Sequence, residues 1–348
     1  MRHLSQPGIS AALLAALLFG AATPAAKFFL DHASPWAMAG LLYLGSGAGL
    51  ALYRRLIGAA PVSLPRVERR WLAGAILSGG IVAPVLMMAG LSGMHAAEAS
   101  LLLNAEGVFT ALLAWMAFKE NFDRRIALGM LSIVAGAVVL SWPADAGFDS
   151  LWPSLAILGA CLAWGIDNNL TRKVSLNDAA WIASVKGLSS GLTNLCIALL
   201  LGAQFPSLPQ SGVIMLTGLL GYGISLSLFV VALRHLGTAR TGAYFSIAPF
   251  FGALLGLLSG EPLTATLLLS GLLMGLGIWL HLSERHEHLH VHEPLEHEHE
   301  HVHDEHHQHD HEHVHAPAPG VPHRHVHRHA RLQHTHGHFP DAHHQHTH

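Results

Sequence analysis

Residues 107–120 read GVFTALLAWMAFKE and residues 249–261 read PFFGALLGLLSGE, so one phrase, an apolar helix closed by a turn ending in glutamate, occurs twice in the chain. The second copy is one residue shorter. Self-similarity of this kind marks a duplicated unit. Other pairs fall into line around it: LLFGAATPAAK (17–27) matches LAWGIDNNLTR (162–172), and Gly136 matches Gly277 in the segments that close each half. The chain therefore reads as two halves of five helices, 8–142 and 151–282. Because five is odd, the halves must insert with opposite orientations, as inverted repeats related by an axis in the membrane plane.

Composition places those helices in a bilayer. Hydrophobic residues make up 51% of the chain and charged residues 12%, against the roughly one-quarter charged of a soluble domain, and mean hydropathy is +0.40. Ten apolar segments, near 8–30, 35–57, 71–93, 96–118, 124–142, 151–173, 178–201, 211–233, 238–259 and 263–282, are each long enough to cross ~30 Å of hydrocarbon as a helix. None alternates as a membrane strand would, so the expected fold is all-α and integral to the membrane. The first segment also has the look of a secretory signal, but its echo at 162–172, where no signal can lie, favours a retained span. The basic loops YRR, RVERR, KENFDRR, TRK and RHLGTAR all fall on one side when the N-terminus is cytoplasmic, which also leaves the C-terminus in the cytoplasm. Cys161 and Cys196 lie in apolar runs and read as packing residues, without a disulfide or a cysteine-based zinc site.

The stretch 96–140, AAEASLLLNAEGVFTALLAWMAFKENFDRRIALGMLSIVAGAVVL, with its weaker echo at 238–280, resembles the EamA repeat of the drug/metabolite transporter superfamily. The resemblance covers roughly residues 8–282. It implies a ten-helix secondary transporter of the inner membrane that exports a small metabolite, amino acid or drug-like solute, needs no cofactor and is not an enzyme. Gly107 stands where the family often has proline, which opens the question of where that helix bends. The histidine-rich tail has no counterpart in the pattern.

Ionisable groups within hydrocarbon cost ~2.5–3.5 kcal/mol each on insertion scales, so each is a functional candidate or half of a pair. By depth, Lys27 and Glu98 are expected to neutralise one another near the outer face, and Asp167 and Lys186 to pair somewhat cytoplasmic of the midplane. Glu106 is left without a cation at its depth, with Asn104 two residues before it. It reads either as a carboxyl group that loads and releases a proton or as a neutral acid bonded to a neighbouring helix. Asn168 and Asn169 extend Asp167 into three consecutive polar residues, a pattern suited to a wet cavity. Trp115, Trp164, Tyr222 and Tyr244 line a cavity or face core and lipid. His95, Glu98, Met87, Met88 and Met94 form an outer-end cluster of metal-ligand types. No phosphate-cradling loop, nucleophile elbow or H-E-x-x-H motif occurs, so neither an ATP-driven pump nor an enzyme is supported.

Beyond the last span, residues 283–348 are expected to be a disordered cytosolic tail. Between His286 and His315 there are 14 histidines and 9 acidic residues, and 11 more histidines follow from His323. The densest run offers His297, His299, His301, His303, His306, His307, His309, His311, His313 and His315. Imidazole with carboxylate suits Zn²⁺, Ni²⁺, Co²⁺ or Cu²⁺ and chooses poorly among them. Expected partners are the lipid bilayer, a small solute and divalent metal ions, not nucleic acid, and a homodimer is compatible with the pattern. The tail leaves two alternatives to solute export: a divalent-metal transporter fed by the tail, and a membrane-anchored metal store.

Overall fold

The computed structural model describes residues 7–30, 33–118, 124–142, 148–174, 177–282, 287–292, 295–301, 323–329 and 332–337. Helices α1 (Pro7–Lys27) and α2 (Pro35–Leu56) open the first half. The third segment is α3 (Arg66–Ala75), a π-helical stretch (Ile76–Val82) and α4 (Ala83–Ser92) in unbroken succession. The fourth is α5 (Ala96–Leu102) and α6 (Ala105–Phe118), separated by a turn at Leu103 and Asn104. Helix α7 (Arg124–Ser141) closes the half. The second half repeats the plan: α8 (Phe148–Arg172), α9 (Ala179–Leu200), α10 (Leu208–Gly218) with a second π stretch (Leu219–Ile224) and α11 (Ser225–Phe245), then α12 (Ala248–Leu258) and α13 (Ala265–Leu282).

Two boundaries differ from the expected segments. The bend of the fourth segment lies at Leu103 and Asn104, before Gly107, so that glycine does not set it. The eighth and ninth segments, expected to part between 233 and 238, are joined by helical backbone within α11. The rings of Phe229 and Phe245 are nonetheless 4.8 Å apart. Sixteen residues of straight helix would span about 24 Å, so the chain doubles back inside α11.

Packing is reciprocal between the halves. α2 lies on its counterpart α9 and α7 on its counterpart α13, while α6 on α8 is answered by α12 on α1, and α4 on α8 by α11 on α1. Side chains obey the same exchange. A methyl at Gly165 would meet Phe109 and Thr110, and one at Gly20 would meet Ala248 and Phe251; Gly136 lies on Met274 and Ser270, and Gly277 on Ile133 and Gly129. Small residues at such crossings let backbones approach, which is how helices gain packing energy in lipid. Among the described residues, six helical stretches are long and apolar enough to cross a membrane: Gly8–Lys27, Pro35–Leu56, Arg66–Ser92, Ala96–Met116, Ala179–Leu200 and Leu208–Ala232. Shorter apolar helices cover 127–141, 248–258 and 265–280.

Four short strands are described in the tail. They fall in a second unit: β1 (Glu287–His292), β2 (Leu295–His301), β3 (His323–His329) and β4 (Leu332–Gly337). β1 pairs with β4 and β2 with β3, both antiparallel, in one register in which paired residue numbers sum to 624, as in Glu287 with Gly337 and His301 with His323. The physical reason is the two-residue alternation of histidine with other residues, which matches the period of a strand. A two-stranded ribbon of this kind is marginal in water on its own.

Candidate functional site

The polar centre is built where α8 meets α6, α9 and the first π stretch. Asp167, on α8, is buried, and Lys186 of α9 donates to both its oxygens, at 2.5 and 2.7 Å, and to Thr171 Oγ at 3.1 Å. Thr171 donates in turn to Asp167 Oδ1 at 2.8 Å. All three ammonium protons are thereby used. The ion pair is completed by its own hydroxyl partner, as a buried pair must be if desolvation is not to outweigh attraction. The four-residue spacing of Asp167 and Thr171 sets both on one helical face.

Glu106 joins this centre through a residue on the same helix. Asn168 donates to Glu106 Oε1 at 2.8 Å and to Thr110 Oγ at 3.2 Å. No cation reaches Glu106 among the described residues. Asn169 bonds the carbonyls of Thr110 and Gly165, tying α8 to α6. Asn104 is separated from Glu106: its amide donates to the Leu101 carbonyl at 2.9 Å and lies 3.6 Å from Met274 Sδ, closing the bend on the far side of the helix. The π stretch contributes as well. Such stretches release backbone carbonyls from the helical ladder, and here Gly79 O accepts from Tyr43 Oη at 2.8 Å and Trp164 Nε1 at 3.0 Å, and Gly80 O from Asn194 Nδ2 at 3.0 Å.

Together these groups border a cavity of about 610 Å³, its mouth included, to which both halves contribute. Glu106, Asp167, Asn168 and Lys186 supply its charged and amide groups. Phe19, Tyr43, Trp164, Tyr222, Phe229 and Phe245 supply its rings. Of the four aromatic candidates named from the sequence, Trp164 and Tyr222 face this cavity, Trp115 is exposed, and Tyr244 packs against a small apolar cluster of Ile9, Ala11, Ala12 and Ala232.

The expected Lys27 and Glu98 pair is corrected. Lys27 instead donates to the carbonyls of Leu91 at 2.7 Å, Met94 at 2.9 Å and Ser92 at 3.5 Å. Those are the unpaired acceptors at the C-terminal end of α4, where a cation is favoured by the helix dipole. Glu98 sits in the first turn of α5, the end that favours an anion. A residue missed in the sequence completes this arrangement: Glu261 accepts from the amides of Ala96 and Ala97, each at 2.7 Å, and so caps α5. The turn between α4 and α5 is thus held on its carbonyl side by Lys27 and on its amide side by Glu261. The signal for Glu261 was the glutamate ending the repeated phrase, which gives no hint of its partner.

His95 is exposed at the start of α5, and Met87 and Met88 are buried in the core. Among the described residues no three His, Cys, Asp or Glu side chains are placed to hold a metal ion. Of the tail histidines, His297, His299 and His301 lie in β2; His303, His306, His307, His309, His311, His313 and His315 lie outside the described residues.

A helical frame repeated in two halves around a cavity they share has the form of a membrane transporter. Comparison with known proteins agrees: residues 6–142 and 151–283 each match the EamA-like transporter family, and the chain belongs to that family. A protein of Methanothermobacter thermautotrophicus described as an uncharacterized transporter is 29% identical over 299 residues, covering 78% of this chain and 85% of its own. A solved structure titled only as the crystal structure of a protein superposes with a TM-score of 0.60 at 18% identity, covering 78% of this chain and 95% of that one, a likeness of fold alone.

Proposed function

We propose that this chain is a proton-coupled secondary transporter that exports a small organic solute across the inner membrane, with ten crossings arranged as two inverted repeats and both termini in the cytoplasm. The observation that carries the reading is Glu106. It borders the cavity shared by the two halves, is bonded through Asn168 to α8, the helix that carries Asp167, and has no cation of its own among the described residues. A carboxyl group in that setting exchanges its proton according to what occupies the cavity. The reciprocal packing of α2 with α9 and of α7 with α13 supports the inverted arrangement, and the five basic loops support the orientation. Flux in reconstituted liposomes, screened over amino acids, other metabolites and divalent metals with and without a proton gradient, tests it. Glu106→Gln should insert normally and lose gradient-driven accumulation, while full accumulation by that variant would remove Glu106 from coupling.

The tail binds divalent transition metals in this proposal, and its histidine content keeps metal transport as the second reading. Cutting after Ser283 separates the two. A solute exporter keeps near-normal flux in metal-free buffer and loses nearly all its high-capacity Ni²⁺ or Zn²⁺ binding. A metal transporter changes its metal flux or the concentration dependence of that flux. Because binding needs deprotonated imidazole, capacity of the intact chain should fall steeply as pH drops through about 6.5.

A further inference from the structure

The third membrane segment leaves a groove at its basic end. α3 packs on α8, whereas the π stretch that follows it packs on α9 as well, so the segment closes on α9 chiefly beyond Ala75. The space before that point is about 790 Å³, its mouth included. Its walls are Ser63 and Leu64 of the preceding loop, Arg69 and Leu72 of α3, Ile76, and Trp181 in the first turn of α9. Two arginines hold the loop in place. Arg54, paired with Asp178, also donates to Ala60 O at 2.8 Å, and Arg69 donates through Nε to Leu64 O at 2.9 Å. That bond orients the exposed guanidinium of Arg69 and leaves its two terminal NH₂ groups uncommitted among the described residues.

Charge and apolar surface are ordered along the groove. Arg69, Leu72, Ala73 and Ile76 follow at helical spacing on one face, and seven residues of helix cover about 10 Å. Beneath them Leu64, Leu72, Val174 and Ile182 form an apolar cluster, against which Ile76 and Trp181 pack. Val67, Trp71 and Leu77 are exposed on the same segment, so the groove opens beside a surface suited to acyl chains. Its other end is positive. Arg66 and Arg70 stand exposed beside Arg69, whereas the nearby acids are engaged: Glu68 accepts from Asn177 at 2.9 Å, and Asp178 pairs with Arg54.

We propose that this groove binds one anionic phospholipid from the leaflet on the side of the basic loops, with its phosphate on Arg69 and Ser63 and one acyl chain along Leu72 and Ile76. A guanidinium fork matches two phosphate oxygens. A basic end continued by an apolar channel fits a molecule that carries charge at one end and hydrocarbon at the other, in a leaflet whose anionic lipids basic pockets attract. The groove shares no lining residue with the central cavity, so the assignment is independent of what the cavity carries. A lipid seated there touches α3 of the first half and Trp181 of the second, and it stabilises the fold by bridging them.

Native mass spectrometry of the full-length protein tests the site, with phosphatidylglycerol, phosphatidylcholine of the same acyl chains and inorganic phosphate added in turn. The expected result is one phosphatidylglycerol bound at least about tenfold tighter than phosphatidylcholine, and no phosphate adduct at the same concentration. Arg69→Gln should remove that preference. Arg124→Gln, which takes the same charge from the start of α7, should keep it, and Ala73→Trp, which fills the groove and leaves every charge, should abolish the tight adduct. Phosphatidylglycerol should also raise the melting temperature of the wild type and Arg124→Gln but not of the other two variants, whose own cooperative unfolding shows that they are folded. Equal binding of the two lipids, or a preference lost as fully in Arg124→Gln as in Arg69→Gln, reduces the effect to diffuse surface charge and overturns the site. Phosphate binding that needs Arg69 and survives Ala73→Trp overturns the lipid and leaves a simple ion site.

Discussion

Helices α1 and α8 occupy the same place in the two halves and do different work. Aligned through their shared phrase, Phe19 answers Trp164 and Gly20 answers Gly165, and both pairs keep their roles: the two rings meet in the cavity, and the two glycines seat the fourth and ninth segments at Phe109 and Phe251. Beyond those positions the copies diverge. Asp167 stands against Ala22, Glu106 against Ala248, and Lys186, eight residues after the cap Asp178, against Leu42, eight after the cap Ser34. Packing residues are held in common and charged residues are confined to one set of positions. The frame is two-fold and the site is not: Glu106 comes from the first half and Asp167 and Lys186 from the second, and each is answered by an uncharged residue in the other copy.

The sharpest way to break that contrast is to remove its charges one at a time. Asp167→Asn or Lys186→Met strands a buried partner, and the cost is about 3–5 kcal/mol for either single change. Replacing both by Leu and Met should cost clearly less than the sum of the two, because no uncompensated charge remains. Thermal unfolding of the purified protein in detergent reads both quantities. Strictly additive losses would show that the pair contributes as two independent groups, against the 2.5 Å contact.

The frame should respond to overpacking in both halves, unequally. A methyl at Gly20 would come within 2.3 Å of the Ala248 carbonyl oxygen, whereas one at Gly165 would lie 3.1 Å from Phe109 and Thr110, so Gly20→Ala should cost about 1–3 kcal/mol and Gly165→Ala less. The same unfolding assay reads that order, and only Gly165→Ala, next to the charged centre, should also change solute affinity. A larger loss for Gly165→Ala than for Gly20→Ala would break the contrast.

Much of this was legible in the sequence because duplication and hydropathy act over twenty or more residues. The repeated phrase fixed the correspondence of Phe109 with Phe251, and matched depth brought Asp167 to Lys186. What was not legible depends on backbone groups. Depth also matched Lys27 to Glu98, but the unpaired carbonyls at the end of α4 are nearer and claim the ammonium. The same blindness hid Glu261, whose partners are the amides of Ala96 and Ala97. The π stretches leave no trace in a hydropathy pattern, since Gly79 and Gly223 read as ordinary small packing residues. Asn104 was grouped with Glu106 by nearness in sequence, whereas the intervening bend turns it towards Met274.

The smallest effect comes from the two helix caps that answer one another. Ser34 accepts from the Ala37 amide at 3.2 Å at the start of α2, and Asp178 accepts from the Trp181 amide at 2.9 Å at the start of α9. Asp178 lies just outside its span and also forms an ion pair with Arg54 at the end of α2. Partial burial works against its charge, yet the Trp181 and Ala180 amides and the Arg54 guanidinium prevail and hold the carboxyl below its ordinary value of 3.8. A carboxyl group depressed in the folded state stabilises the protein above its unfolded value, and that stabilisation is lost as pH falls through the folded value. Asp178→Ser keeps a good cap and removes only the charge, so the loss at pH 7 should stay within about 1 kcal/mol. Between pH 5 and 8 the melting temperatures of wild type and variant should run parallel, and they should converge only below about pH 4. Ser34→Ala, which removes an uncharged cap, should lower stability by a constant amount across the whole range. A gap between wild type and Asp178→Ser that instead opens or closes near pH 6.5 would assign it to a histidine rather than to this carboxylate.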